Sequence, residues 1–324
     1  MNADARGIVL MVRDRQDDAG NIMRLRLASA DGMPLPQFAA GAHIDVQVPG
    51  EESAVWRQYS LCSDPADTEQ YEIGILKDPS SRGGSIALHE RVRVGTMLTA
   101  EGPRNHFPLD ETAEHTLLFG GGIGITPMLS MAKRLHALGS EFTLHYCTRT
   151  AAGTAFRADL ETAPFSRHVR LHHDDGPQEQ RLDLARDLPP PDGATHIYVC
   201  GPSGFMDWVI SCAEACGYPP ATIHREYFSA KIDSSGDSFE VEARESGVTV
   251  TVGPKDTIAR ALARVGVKIP VKCEEGVCGT CLTSVLQGIP DHRDKFLTDE
   301  ERETNEDICT CCSRAIGARL VLDV

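Results

Sequence analysis

Six of the eleven cysteines crowd into the C-terminal part of the chain, and their spacing constrains the fold more than any other feature. The first three are spaced C-x4-C-x2-C, and the others follow as C-x-C-C. Three ligands on one loop with a distant fourth are typical of a 2Fe-2S cluster, because four thiolates have to converge on one inorganic core. Zinc sites more often use paired C-x2-C knuckles. The six residues are Cys273, Cys278, Cys281, Cys309, Cys311 and Cys312.

The cysteine loop also contains glycines where backbone amides need to approach inorganic sulfide. Gly276 and Gly279 lack the Cβ atom that would obstruct this approach. Buried free cysteines are the alternative explanation, since protein cores often hold such thiols. The segment VKCEEGVCGTCL resembles the cluster loop of plant-type ferredoxins. That resemblance implies Cys311 as the fourth ligand, with Cys309 and Cys312 as competitors.

Successive patterns divide the 324 residues into domains. Residues 1–108 contain short β-rich runs between turn residues, which predict an antiparallel barrel or sandwich. Residues 109–230 alternate apolar strands with helical patterns, which predicts a doubly wound parallel sheet. Residues 231–238, KIDSSGDS, predict a flexible linker. Residues 239–324 form a third domain, small enough to need a cofactor for stability. The predicted strands lie at residues 23–28, 43–48, 56–62, 71–76 and 96–101, then 116–119, 142–147, 168–172, 196–200 and 221–226.

Two short motifs in the first segment suit a phosphorylated aromatic cofactor. RQYSL ends a predicted strand. An arginine can hold a phosphate, and a tyrosine ring can lie on an isoalloxazine ring. A serine hydroxyl can reach the polar edge of that isoalloxazine. RGGS precedes a helical stretch, and paired glycines at a helix start expose amide N–H groups to a phosphate. Ordinary strand residues and a plain turn are the alternatives. The residues are Arg57, Gln58, Tyr59 and Ser60 in the first motif and Arg82, Gly83, Gly84 and Ser85 in the second.

Two glycine-containing loops follow strands of the second segment. GGGIGITP, residues 120–127, permits close approach of a pyrophosphate, and we expect Thr126 to cap the next helix. This loop departs from the G-x-G-x-x-G dehydrogenase fingerprint. CGPSGF, residues 200–205, lies at the edge where open α/β sheets bind ligands. Structural packing and a buried thiol are the alternatives. The candidate binding residues are Gly122, Gly124, Ile125, Thr126, Cys200, Gly201 and Pro202.

The end of the third strand of this segment bears on the choice of nicotinamide cofactor. It reads His172-His173-Asp174-Asp175. A carboxylate such as Asp174 repels the 2'-phosphate of NADPH and can accept a hydrogen bond from the free ribose hydroxyl of NADH, so we expect NADH. The adjacent histidines point to opposite faces of a strand and do not predict a metal site.

RQYSL, RGGS, GGGIGITP, CGPSGF and the cysteine loop together resemble the phthalate dioxygenase reductase family, which includes vanillate demethylase-type reductases and belongs to the ferredoxin-NADP reductase superfamily. The resemblance covers essentially the whole chain. It implies an antiparallel Greek-key β-barrel, a nicotinamide-binding doubly wound sheet and a β-grasp ferredoxin domain. RGGS resembles the branch that binds FMN. The resemblance also places Cys200 beside the nicotinamide, Phe228 over the flavin ring, and Ile75 and Lys77 among the cofactor contacts. Thr126, Cys200 and Phe228 are the expected catalytic residues.

Electron counting explains why three cofactors are needed. NADH gives two electrons as a hydride whereas a 2Fe-2S cluster accepts one, so a flavin has to lie between them. The resemblance implies that electrons then pass to the terminal component of a Rieske-type oxygenase. The alternatives are an FAD-containing reductase that serves a cytochrome P450 or another hydroxylase, and a redox sensor or electron carrier.

Charge and hydropathy exclude other partners. Asp and Glu number 47 against 32 for Lys and Arg, a net charge of -15, which argues against nucleic-acid binding. The early apolar run Ile8 to Val12 is too short for a signal peptide or a membrane span, so we expect a soluble, cytoplasmic protein. We also expect a monomer. The acidic run DEERETNED, residues 299–307, predicts a solvated helix face, with docking to a basic oxygenase surface as the alternative.

Overall fold

The structure is a computed structural model that describes residues 7–50, 55–79, 83–229 and 232–324. The predicted phosphate ligand Arg82 and the first linker residue, Lys231, lie outside the described residues. The chain divides into two compact units, Met1–Glu226 and Tyr227–Val324. The first unit holds two sheets and the second holds one. Among the helices of the described residues, none combines the length and the apolar composition needed to cross a lipid bilayer.

The first sheet confirms the predicted antiparallel, barrel-like domain. Its six strands are ordered β4-β3-β6-β1-β2-β5, and each neighbouring pair is antiparallel. Apolar side chains alternate inward, so that Leu25 and Leu27 are buried while Arg26 between them is exposed. Leu88 of helix α1 (Gly84–Arg91) belongs to the same core. The strands are β1 (Ile8–Asp18), β2 (Ile22–Ser29), β3 (His43–Gln47), β4 (Trp56–Ser60), β5 (Tyr71–Leu76) and β6 (Met97–Arg104).

The second sheet is parallel and has the five strands that the sequence predicts. Both of its faces are buried: Leu117 and Leu118, which point to opposite faces, are 2% and 0% exposed. Helix α2 packs on β7, β8 and β10, and helix α5 packs on β10 and β11. The elements are β7 (His115–Gly121), α2 (Ile125–Leu138), β8 (Glu141–Thr148), α3 (Arg157–Thr162), β9 (Val169–His173), α4 (Leu184–Asp187), β10 (Thr195–Cys200), α5 (Ser203–Ala215) and β11 (Ile223–Glu226).

The strand order of this sheet fixes where a ligand can bind. The order is β11-β10-β7-β8-β9, so the chain winds outward from β7 through β8 to β9 and then returns to β10 on the other side of β7. The connections after β7 and β10 therefore leave in opposite directions and open a crevice at the carboxyl ends of these strands. Both predicted nucleotide loops, residues 120–127 and 200–205, begin at this crevice.

The second unit is a five-stranded sheet ordered β13-β12-β16-β14-β15, in which β12 and β16 are parallel. Residues 232–238 form neither helix nor strand, and the buried Arg314 donates hydrogen bonds to the carbonyls of Ser234 and Asp237. The elements are β12 (Phe239–Ala243), β13 (Val248–Val252), α6 (Ile258–Arg264), β14 (Leu282–Asp291), α7 (Asp299–Thr304), β15 (Asp307–Cys309) and β16 (Arg314–Leu322).

The acidic run becomes helix α7, as its sequence predicts. Thr298 caps the helix by accepting the amide hydrogen of Glu301, and the Glu301 carboxylate accepts the amide hydrogen of Thr298 in return. The carboxylates of the first turn also face the positive end of the helix dipole. These local effects account for a helix that buries none of its residues.

Candidate functional site

Arg57 of β4 lies against the start of helix α1. A Cβ atom at Gly84 would lie 2.8 Å from Arg57 Nε and 3.2 Å from Arg57 Cζ, so the guanidinium fills the space that a side chain would need. Gly83, at φ 93°, turns the chain into the helix and has no side chain with which to cap it. Backbone N–H groups and a guanidinium are therefore neighbours here, and this combination fits a phosphate. Ser85 accepts a hydrogen bond from the Asp78 amide.

The other flavin candidates lie on β4 and at the end of β5, and their side chains differ in exposure. Gln58 forms a hydrogen bond of 3.0 Å between its Nε2 and His43 Nε2. Tyr59 is partly buried against the barrel core. The Ile75 side chain is 0% exposed inside that core, so only its backbone can meet a cofactor. Lys77 is exposed just beyond the end of β5.

Ser60, the last residue of β4, contacts the parallel sheet. Its hydroxyl donates a hydrogen bond of 3.3 Å to the carboxyl of Glu226, the last residue of β11. Strand register places Glu226 beside Cys200. Burial raises the pKa of Glu226 to about 8, and the hydrogen bond from Ser60 opposes that rise only in part. Burial also raises the pKa of the Cys200 thiol. Sequence reasoning missed Glu226, although a carboxylate at the end of a predicted strand was a usable signal.

The two predicted nucleotide loops touch one another. A Cβ atom at Gly124 would lie 2.2 Å from the Cys200 carbonyl oxygen, and one at Gly201 would lie 3.0 Å from Gly121 Cα. Side chains at these positions would separate the loops. The contact leaves the turn Gly122–Gly124 beside the start of α5, where backbone amides can approach a pyrophosphate.

Thr126 does not cap helix α2, so that prediction is wrong. The helix begins at Ile125 with Gly124 as its N-cap, because a tight turn leads directly into it and leaves no extended residue before Thr126. The Thr126 hydroxyl instead donates to the Ile123 carbonyl at 3.0 Å. Its methyl group faces Gly74 of β5, where a Cβ atom would lie 2.9 Å from Thr126 Cγ2. Thr126 therefore lies where the barrel meets the parallel sheet.

Three further candidates lie elsewhere along the chain. Asp174 follows β9, is exposed, and donates its amide hydrogen to the Thr148 carbonyl. Pro202 is the N-cap of α5. Phe228, in the second unit, is 37% exposed.

The predicted cluster ligands converge. Cys273 is in hydrogen-bonding contact with the thiols of Cys278 and Cys311, and these bonds lower its pKa. Cys281 is in the same kind of contact with Cys309 and Cys311, which lowers its pKa too. Cys311 is therefore a neighbour of two loop cysteines, whereas Cys309 is a neighbour of one. The same contacts raise the pKa of Cys278, Cys309 and Cys311, since each shared proton stays on one partner. The convergence of these thiols on one place fits an iron-sulfur cluster.

Close packing encloses this cysteine group. A Cβ atom at Gly276 would lie 2.6 Å from Cys312 Sγ, and one at Gly279 would lie 2.2 Å from the Phe296 ring. Cys312 directs its thiol toward the Cys309 carbonyl at 3.6 Å. Because glycine alone fits at both positions, the loop backbone can lie directly against its surroundings.

A buried carboxylate shapes the wall opposite the loop, and sequence patterns assign it no role. Asp294 is 2% exposed and accepts hydrogen bonds from the amide of Leu297 and the hydroxyl of Ser313. The next residue, Lys295, donates its amide hydrogen to the Gly276 carbonyl. Asp294 therefore positions the segment that holds the glycine of the cluster loop.

Comparisons with known proteins agree with this division of the chain. Residues 10–108 match the oxidoreductase FAD-binding domain, residues 118–210 the oxidoreductase NAD-binding domain, and residues 241–315 the 2Fe-2S iron-sulfur cluster binding domain. The vanillate O-demethylase oxidoreductase of Pseudomonas sp. (strain HR199 / DSM 7063) is 48% identical over 308 residues, which are 94% of this chain and 96% of that protein.

Two solved structures are similar over almost the whole chain. Phthalate dioxygenase reductase, described as a modular structure for electron transfer from pyridine nucleotides to [2Fe-2S], is 37% identical with a TM-score of 0.74, over 98% of each chain. An intact type IV self-sufficient cytochrome P450 monooxygenase is 36% identical with a TM-score of 0.85, over 98% of this chain but 41% of that one. With three matching domains and similarity over its full length, the chain belongs to the phthalate dioxygenase reductase family of oxidoreductases, which combine flavin, NAD and a 2Fe-2S cluster.

Proposed function

We propose that the protein is an NADH-dependent, FMN-containing reductase that passes single electrons through its 2Fe-2S cluster to the terminal component of a Rieske-type oxygenase. The observation that carries this proposal is the hydrogen bond between Ser60 and Glu226. It joins the end of the flavin-motif strand to the carboxyl edge of the nucleotide sheet, beside Cys200. A hydride can pass only where these two sites meet.

Each site residue has a task that its position supports. Arg57 and the amides at Gly83 and Gly84 hold the flavin phosphate, and Tyr59 and Ser60 lie along its ring. When bound, the flavin accepts hydride from NADH and releases the electrons one at a time. Glu226, with its pKa raised to about 8, keeps a proton next to Ser60 at neutral pH.

The nicotinamide side is formed by the two loops in contact. Gly122, Gly124 and Gly201 let the pyrophosphate approach backbone amides. Thr126 and Cys200 would hold the nicotinamide as catalytic residues, and the aromatic ring of Phe228 would guard the flavin before the nicotinamide binds. The exposed carboxylate of Asp174 selects NADH over NADPH.

For the cluster we propose Cys273, Cys278, Cys281 and Cys311 as ligands. The contacts of Cys311 with two of the loop cysteines support this choice over Cys309. All eleven cysteines are free, which supports a reducing, cytoplasmic setting. We also propose that the protein is a monomer.

The electron acceptor has two candidates. Similarity to vanillate O-demethylase oxidoreductase over 94% of the chain favours a separate oxygenase component of the Rieske type. Similarity to part of a self-sufficient P450 favours a cytochrome P450 as the second candidate. Reduction of a purified Rieske oxygenase at a rate that exceeds P450 reduction supports the first; the reverse order of rates supports the second.

An anaerobic NADH titration tests the internal electron path. We expect flavin and iron-sulfur absorbance to bleach together, and acid to release FMN. In Cys311→Ser, a two-electron dye should still be reduced while cytochrome c reduction is lost. Cys309→Ser and Cys312→Ser are the matched controls and should keep both activities. Full cytochrome c activity in Cys311→Ser, or release of FAD, would contradict the proposal.

A further inference from the structure

A polar cavity lies on one face of the parallel sheet, away from the nucleotide crevice. It has a volume of about 920 Å³, and its floor includes His145 of β8 and His172 of β9. Its cover is the segment that leads from β9 to β10, with Gln180 and Asp187. Sheet faces covered by chain segments are normally apolar, so a floor with three histidines, His115, His145 and His172, is unusual.

The two imidazoles face each other through one ring nitrogen each. His145 Nδ1 and His172 Nε2 are 3.0 Å apart, and both residues are buried. His172 Nδ1 lies 3.2 Å from the Gln180 carbonyl, which can only accept a hydrogen bond, so His172 Nε2 carries a lone pair. A backbone acceptor on the far nitrogen is the usual way in which proteins orient a metal-binding histidine.

A carboxylate completes the set. Asp187, at the end of α4, places a carboxylate oxygen so that the three possible ligand atoms lie within 4.8 Å of one another. Arg186 and the Asp183 amide orient that carboxylate through hydrogen bonds of 2.7 and 3.0 Å. Arg186 also donates to Oδ1 at 2.8 Å, and Oδ2 already accepts two hydrogen bonds. Only Oδ1 therefore keeps a lone pair, and the Arg186 charge lowers the affinity of this site for a cation.

The neighbouring histidine does not belong to this group. His173 points to the other face of β9, where its Nδ1 lies 2.9 Å from Thr148 Oγ1. The sequence places His172 and His173 side by side, but the ligand partner of His172 comes from the adjacent strand. Sequence spacing alone therefore gives no signal for this group.

We propose that His145, His172 and Asp187 bind a divalent transition metal, with Zn²⁺ as the ion and water in the fourth position. Two nitrogens on a tetrahedral zinc are about 3.3 Å apart, so the imidazoles have to separate by a few tenths of an ångström. The rings also have to rotate, so that the two nitrogens that now face each other both point at the ion. The proton on His145 Nδ1 moves to Nε2 of the same ring. The ion fastens the covering segment to β8 and β9, and the cavity lining includes none of the proposed flavin, nucleotide or cluster residues.

The test measures zinc in the purified holoprotein. The protein is incubated with Zn²⁺ in the presence of excess Mg²⁺, desalted, and analysed for zinc, iron and flavin. His172→Gln and Asp187→Asn are the test variants; Asp187 is partly exposed, so its variant should fold even if a buried histidine variant does not. His224→Gln is the matched control, because His196 Nδ1 and His224 Nε2 form a similar pair at 3.0 Å on the other side of the sheet.

We expect His172→Gln to retain about one zinc ion fewer per chain than the wild type and Asp187→Asn to bind zinc about tenfold more weakly. His224→Gln should match the wild type, and iron and flavin contents should stay constant in all three variants. Unchanged zinc in both test variants would overturn the proposal, because any bound zinc would then lie elsewhere, for example on surplus cysteines. An equal loss in His224→Gln would overturn it as well.

Discussion

Replacing Gly84 with alanine tests the proposed phosphate site with one methyl group. The added Cβ would lie 2.8 Å from Arg57 Nε and 3.2 Å from its Cγ and Cζ, so the arginine side chain has to move. Gly84 is the first residue of α1 and has no left-handed backbone conformation. Alanine is the better helix former by up to about 1 kcal/mol, so the helix itself should not weaken. The substitution therefore displaces Arg57 without unfolding the helix that it contacts.

The expected loss follows from the interaction that Arg57 makes. A hydrogen bond to a charged group contributes about 1.5–3 kcal/mol, which corresponds to FMN binding that is about 10- to 150-fold weaker. Riboflavin lacks the phosphate, so its affinity should not change. The assay is fluorescence quenching when the flavin-free protein is titrated with each ligand.

Gly253→Ala is the control for this experiment. Nothing lies within 4 Å of the Cβ position at Gly253, so this variant should bind both ligands as the wild type does. Equal weakening of FMN and riboflavin in Gly84→Ala would refute the reasoning, since it would show that the site holds no phosphate. Unchanged FMN affinity would refute it too.

Three further predictions concern the other sites. The pKa of Glu226 is about 8 in the folded protein, above its ordinary value of 4.5. The protonated carboxyl therefore contributes its full stabilisation of the fold below about pH 4.5. This contribution decreases as the pH rises and is lost once the pH has passed about 8. Paired thermal melts should accordingly show the Tm of the wild type falling relative to Glu226→Gln across that window. Gly279→Ala should lose iron and visible iron-sulfur absorbance, because its Cβ would lie 2.2 Å from the Phe296 ring. Gly247→Ala is the control, because Gly247 has a similar φ of +65° but no atom within 4 Å of its Cβ position. Any loss in this control measures the effect of backbone strain alone. Asp174→Arg should raise the ratio of kcat/KM for NADPH to kcat/KM for NADH about tenfold, because it replaces repulsion of the 2'-phosphate with attraction. Glu141→Gln is the control, since it removes a negative charge at the opposite end of the sheet. Its ratio should equal that of the wild type.

Strand periodicity predicted most of the architecture, and its failures have physical causes. Apolar alternation and buried runs located five strands in the barrel and all five of the parallel sheet. Strand β1 was missed because its second half reads RDRQDD. Only Ile8 to Met11 pair with β6, whereas the remainder pairs with β2 alone and has few side chains in the core.

The candidate site was predictable where chemistry needs a fixed spacing along the chain. Cysteine ligands and glycine loops are such cases, since their neighbours in sequence are also neighbours in space. Glu226 and Asp294 were missed because their partners, Ser60 and Ser313, come from distant segments. Thr126 was misassigned because sequence alone does not show whether a glycine turn leads straight into a helix.

The net charge of -15 is unexpected, because the proposed FMN, NADH and a thiolate-bound cluster are all anionic. The proposed sites can stabilise these anions with backbone amides at the starts of α1, α2 and α5 and, in the flavin site, with arginines such as Arg57. The surface carboxylates, including those of α7, can then attract a basic partner.

Salt screens exposed charges far more than amides in contact with a bound ligand. From low ionic strength to about 0.5 M salt, electron transfer to the oxygenase should therefore slow on the order of tenfold, while NADH-driven dye reduction changes little. Stopped-flow measurements with both acceptors provide the comparison. An equal salt dependence for the oxygenase and the dye would refute docking through α7. It would show that the acidic surface either affects cofactor binding or affects neither cofactor binding nor docking.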